Sequence, residues 1–138
     1  MNRPVISTDS RTSAFSLVEL LITIAIIGVL AAVAVPIYNR NVQNARRTEA
    51  DTALGTIRTS LRVYYAENGS YPLVNPAGAV VGASWNDIRT GELTGKYFND
   101  SSYTYQSRDG VSYQIICARG TVMDRDRILD QNGTFSNL

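Results

Sequence analysis

Two sets of acidic side chains are the first candidates for chemistry. Glu19 sits five positions into the otherwise almost wholly apolar run FSLVELLITIAIIGVLAAVAVPIY, which begins at Phe15. A charge inside such a run costs about 2.5–3.5 kcal/mol at a bilayer centre, so it calls for a partner or a function. Asp124, Asp126 and Asp130, within DRDRILDQNG, offer oxygen ligands to calcium. Their spacing departs from the EF-hand pattern and Arg125 and Arg127 dilute the charge, so a strand flanked by charged turns is the plainer reading. The 138 residues include no histidine, and Cys117 is the lone cysteine. That composition excludes His-based triads, His-ligated metals and a cysteine zinc cluster within one chain, and it points away from an enzyme. Cys117 alternates in phase with Tyr113 and Ile115, which predicts a small buried core side chain.

The element that carries Glu19 is a helix. From Phe15 to Val35 it rises about 31 Å at 1.5 Å per residue, which matches the hydrocarbon thickness of a bilayer. Ala25, Gly28, Ala31, Ala32 and Ala34 are small residues that allow close approach of neighbouring helices. Upstream, MNRPVISTDSRTSA is a short polar leader that cannot build a core and reads as a processing signal. Ala32-Val33-Ala34 also resembles an ordinary secretory cleavage site, which would release a plainly secreted binding domain. An acid near the start of the apolar region and a helical pattern that continues past Pro36 speak for retention of the helix.

Ala14 followed by FSLVELLITIAIIGVLAAVAVPIY resembles the N-terminal signature of type IV pilins and the related pseudopilins of type II secretion. That resemblance implies a cut by prepilin peptidase between Ala14 and Phe15 and N-methylation of Phe15. The family usually carries glycine before the cut, where this chain has Ala14. It further implies that Phe15, Glu19 and Pro36 serve subunit assembly, with Glu19 neutralising the terminal amine of a neighbouring subunit. Pro36 removes one backbone hydrogen bond and loosens the turn before it. Arg40, Arg46 and Arg47 follow the span while Arg3 and Arg11 precede it, so charge alone does not orient it. The resemblance implies a leader on the cytoplasmic side and a globular part outside.

Beyond Pro36 the pattern becomes amphipathic. Ile37, Val42, Ala45, Ala50, Ala53, Leu54, Ile57, Leu61, Tyr64 and Tyr65 recur at helical spacing, with Arg46, Arg47, Glu49, Asp51, Arg58 and Arg62 between them. Asn68-Gly69, with Pro72 close behind, ends this helix, for a rod of about 80 Å if unbroken. Residues 72–95 read as a loop region with one short helix or strand. Tyr103–Tyr105 and Val111–Cys117 flank Asp109-Gly110 as a hairpin, and a third strand covers Arg127–Leu129, turning at Asn132-Gly133. An antiparallel sheet laid against the amphipathic half-helix gives an α+β chain that matches the pilin fold. Its parts are a leader (1–14), an apolar transmembrane or assembly helix (15–36), the amphipathic half of the same helix (37–68) and a globular β-sheet region (69–138).

Thirteen basic and twelve acidic side chains nearly cancel, so no large basic field favours nucleic acid, and Arg40, Arg46 and Arg47 are better read as intersubunit or lipid headgroup contacts. Phe15, Tyr38, Tyr64 and Tyr65 lie on the rod, where related pilins have been proposed to carry electrons; aromatic packing explains them more cheaply. The expectation is a structural subunit without a cofactor. It is held in the inner membrane by one span and then polymerised with identical or related subunits by a membrane assembly platform into an extracellular pilus. A major pseudopilin forming a periplasmic pseudopilus, or a membrane-anchored calcium-binding module, are the alternatives.

Overall fold

The computed structural model describes residues 15–138 and divides the chain into two compact units that meet between Asn39 and Arg40. The leader 1–14 and Ala14 with it lie outside the described residues. Helix α1 runs Leu17–Asn68. It starts at Ser16, whose hydroxyl accepts from the Val18 N–H (3.3 Å). It stops where Gly69 adopts φ 73°, a left-handed conformation that costs glycine no Cβ clash. The Gly69 N–H still donates to the Tyr65 carbonyl and the Asn68 side-chain amide donates to the Tyr64 carbonyl, so these two acceptors near the helix end are satisfied.

In the second unit the sheet is a five-stranded antiparallel meander, β1 (Val74–Ala79), β2 (Tyr103–Ser107), β3 (Gln114–Cys117), β4 (Arg127–Asp130) and β5 (Phe135–Asn137). Tyr103 faces Cys117, Tyr105 faces Ile115 and Ile115 faces Leu129 across the strands, and all five side chains are buried. Alternation therefore puts one face of the sheet inward. Ala50, Ala53, Leu54, Ile57 and Leu61 of α1 complete the core against it. Each buried leucine or isoleucine there stabilises the unit by about 1.5–3 kcal/mol. The buried stripe is narrower than the periodicity predicts, because Ile37 and Tyr65 remain about half exposed. The Asp51 carboxylate then clamps the helix to β4 through two bonds from the Arg127 guanidinium, 2.7 and 2.9 Å.

Three further differences from the sequence expectation have local causes. The β2–β3 connection is a longer loop rather than a tight Asp-Gly turn, and β3 starts at Gln114 instead of Val111. Asp109 accepts from the Val111 and Ser112 N–H groups and from the Ser112 hydroxyl, which curls the chain away from the ladder. Gly110, at φ 71°, allows that curl. β1 forms within the predicted loop region, carries Pro76 on a sheet edge and shifts register between Val74 and Gly78. β5 pairs with β4 where only a turn was expected.

Candidate assembly segment

The first unit holds Phe15, Glu19 and Pro36. Every Val, Leu, Ile, Phe and Tyr side chain from Phe15 to Tyr38 is exposed, from 52% at Ile22 to 80% at Leu17. So much contiguous apolar surface marks a segment built to be covered by something other than its own chain. Ala25 leaves a notch between Leu21, Ile22, Ile26, Val29 and Leu30, a groove of about 400 Å³ of the kind that receives a ridge from another helix. Gly28 has nothing within 4 Å of where a Cβ would stand, so no packing within the chain requires glycine there.

Glu19 lies in the first turn of α1, and its Oε2 accepts from the Ser16 N–H (3.0 Å). With the Ser16 hydroxyl accepting from Val18 this is a reciprocal cap of the S-x-x-E kind, and the carboxylate also faces the positive end of the helix dipole. Oε1 accepts no hydrogen bond among the described residues. Glu19 is thus held against the start of its own helix with one oxygen left for another donor. Phe15 stands within one turn of it and is 78% exposed. Pro36 lies seventeen residues further, about 26 Å along the helix, and the helix continues through it although the Ala32 carbonyl loses its usual N–H donor.

The acidic residues of the C-terminal loop do not converge. Asp126 accepts from the Arg119 N–H and Asp130 from the Thr134 N–H, each fixing its own turn. Among the described residues no group of three His, Cys, Asp or Glu side chains is placed to hold a metal ion, so Asp124, Asp126 and Asp130 are not brought together as ligands. Cys117 is fully buried, and burial pushes its thiol up to about 12. Tyr65 packs on Tyr71 (ring centroids 4.7 Å) and Tyr71 on Tyr113 (4.6 Å), whereas Tyr38 is 68% exposed. The basic trio is also split: Arg46 donates to the Val122 carbonyl (2.7 Å) and lies over the Tyr97 ring, so its charge is used within the fold.

One anchoring residue escapes sequence reasoning. Glu49 of α1 accepts from the Lys96, Tyr97 and Phe98 N–H groups at 2.8–3.1 Å and fastens the 80–100 segment, which supplies Ile88, Leu93 and Phe98 to the core. A Cβ at Gly95 would collide with that carboxylate. At the other side of the segment Asp100 accepts from the Gly91 and Leu93 N–H groups and the Thr94 hydroxyl, and the first of these holds its carboxyl below the ordinary value.

Residues 9–35 match the prokaryotic N-terminal methylation motif. The chain is 33% identical over 97 residues to the fimbrial protein EcpC of Eikenella corrodens, covering 70% of this chain and 58% of that protein. It is 39% identical over 107 residues to the type IV major pilin protein PilE1 of Neisseria gonorrhoeae (73% and 47%). It is 36% identical over 63 residues to the type IV major pilin protein PilA of Myxococcus xanthus (46% and 29%). The chain spans about half the length of the first two. An apolar helix that opens on the methylation motif, an amphipathic continuation packed on an antiparallel sheet and this set of relatives together support the type IV pilin family for this chain.

Proposed function

We propose that this chain is a structural subunit of a type IV pilus-like filament. The carrying observation is the bare apolar face from Phe15 to Tyr38, exposed throughout and bearing a single carboxylate in its first turn. Lipid covers that face first, with the subunit held in the inner membrane, and neighbouring helices cover it in the filament. Prepilin peptidase cuts between Ala14 and Phe15, and the new amino terminus of Phe15 is methylated. The free oxygen of Glu19 then accepts the terminal ammonium of an adjacent subunit, so that a buried acid gains its partner only on assembly. Gly28 and the alanines let helices approach, and Pro36 gives the helix a place to adjust. The work is mechanical, and the sheet faces outward.

The relatives named above are pilins and fimbrial proteins, which favours a pilus over a secretion pseudopilus. Shearing cells and imaging the released fraction with an antibody against the globular unit tests this. Labelled filaments that vanish on deletion of the chain are expected. A soluble product, or a secretion defect without filaments, contradicts it.

A further inference from the structure

We propose that Arg47 and Arg125 of one copy dock into the acidic, aromatic-walled groove at Glu67, Asp87 and Glu92 of the next copy, joining the globular units head to tail. This deepens the filament reading proposed above and rests on it. The charged side chains of residues 40–138 divide by use. Among the basic ones, Arg46, Arg58, Arg119 and Arg127 donate to partners within the fold. Among the acidic ones, Glu49, Asp51, Asp100, Asp109, Asp126 and Asp130 accept from N–H or guanidinium groups. Of the charges left over, two sets cluster, one of each sign.

Arg47 of α1 and Arg125 of the β3–β4 connection donate to nothing among the described residues. Both are exposed, and they rim one cavity of about 260 Å³ in which Asp124 is the single acid. Arg125 is presented from a braced segment, because Arg46 donates to the Val122 carbonyl and Arg119 to the Asp124 carbonyl. Glu67, Asp87 and Glu92 are also exposed, and they line a second groove of about 520 Å³ with no Lys or Arg in its lining. Glu67 and Asp87 accept no hydrogen bond among the described residues, and Glu92 accepts one, from the Arg89 N–H. Tyr64 and Trp85, both half-buried, line the same groove. Three carboxylates gathered without a cation repel one another until one arrives. Carboxylates beside aromatic rings suit a guanidinium, whose fork meets the carboxylate and whose flat face meets the ring. The exposed arginines at the other patch have that chemistry.

Helix geometry decides how two such patches can meet. Arg47 and Glu67 stand twenty residues apart on α1, about 30 Å along its axis and about 200° around it. The patches therefore lie on opposite sides of the helix and cannot reach each other within one chain. A two-fold pair would need both patches turned toward one partner, which opposite sides do not allow. What remains is a heterologous contact, basic patch to acidic groove, between copies that run parallel. Each such contact displaces the next copy by about 30 Å along the helix, so the array does not close into a ring and grows as a filament. A different protein that brings its own cation is the competing occupant of the groove, and exchanging the charges separates the two.

The test compares the full chain with Arg47→Glu/Arg125→Glu, with Glu67→Arg/Asp87→Arg, and with the chain that combines all four changes. The readouts are subunit in the sheared filament fraction, subunit in the membrane fraction and melting temperature in detergent. Each double reversal sets like charges against each other at every contact and should lower the filament fraction at least about ten-fold. The membrane pool and melting temperature should stay parental, because none of these four side chains bonds within the fold. Combining the four changes, or expressing the two double variants together, should bring filaments back to within a few-fold of the parent. Parental filament yield from either double reversal overturns the proposal. Loss that neither the combined variant nor co-expression recovers also overturns it, since the patches then meet something other than each other. A second measurement leaves the charges in place: Gln43→Cys and Ser84→Cys put one thiol at each patch, while Cys117 is buried. Oxidised filaments of that double variant should give a ladder of linked copies; monomers alone, or dimers alone, contradict the head-to-tail contact. Absence of filaments from the parent chain removes the proposed function and this inference together, an outcome distinct from parental filaments that tolerate the reversals.

Discussion

Replacing Glu19 by glutamine separates the helix cap seen in the structure from the proposed pairing with a neighbouring subunit. Its Oε2 caps the helix by accepting from the Ser16 N–H, and in the proposed filament its other oxygen accepts a neighbour's ammonium. Glutamine serves as well as glutamate in a reciprocal cap, so the first role survives the change. The second does not, because an amide leaves the incoming ammonium buried and uncompensated. Breaking a buried pair by removing one partner costs about 3–5 kcal/mol, which is about two to four orders of magnitude in the equilibrium for adding a subunit. Ser16→Ala provides the contrast. It removes only the 3.3 Å bond from Val18 and should cost under about 1 kcal/mol at a helix start. The assay is the ratio of subunit in the sheared filament fraction to subunit in the membrane fraction. Glu19→Gln should fill the membrane pool and leave almost no filament, while Ser16→Ala should stay within several-fold of the parent. Equal filament loss in both variants, or parental filament yield from Glu19→Gln, would refute the pairing and leave Glu19 as a cap.

Gly28→Leu fills a position that touches nothing in its own chain, so it should leave the melting temperature unchanged and reduce filament yield at least ten-fold, read in the same sheared-fraction assay. Glu49→Ala removes the acceptor for three backbone N–H groups and should cost about 2–4 kcal/mol, seen as a lower denaturation midpoint and as trypsin cleavage after Lys96 that the parent resists. Asp109 has its carboxyl held down to about 2, chiefly by the Ser112 and then the Val111 N–H groups. A depressed folded value means that its contribution is complete above about pH 4, the unfolded value, and is lost as pH falls toward 2. The protection of the Val111 and Ser112 amides, their exchange rates taken relative to the unfolded-chain rate at each pH, should fall across that window and stay flat from pH 5 to 7.

Periodicity made the helix and the β2–β3–β4 core legible. Ala50, Leu54, Ile57 and Leu61 recur on one face, Asn68-Gly69 supplies a stop, and Tyr103, Tyr105, Ile115, Cys117 and Leu129 alternate into the core. β1 and β5 were hidden because an edge strand needs little pattern of its own: β1 carries Pro76 and Gly78, and all three residues of β5 are exposed. The anchor at Glu49 joins residues 47 to 49 positions apart, a pairing that no local spacing announces. Arg46 looked like a surface cation until its carbonyl acceptor at Val122 came into contact through the fold. The Ser16–Glu19 cap is different, since serine three residues before glutamate at the head of an apolar run is a local, readable signal of a helix start.

The central claim is that the helix beginning at Phe15 is kept and becomes the filament contact. Intact mass and N-terminal sequencing of the protein from sheared filaments and from membranes test it most directly. The account predicts a chain that starts at Phe15 in both fractions and is heavier by about 14 Da, one methyl group in place of hydrogen. A soluble product that starts at Val35 or Ile37 would mean that the helix is a discarded signal, and the filament account would fall.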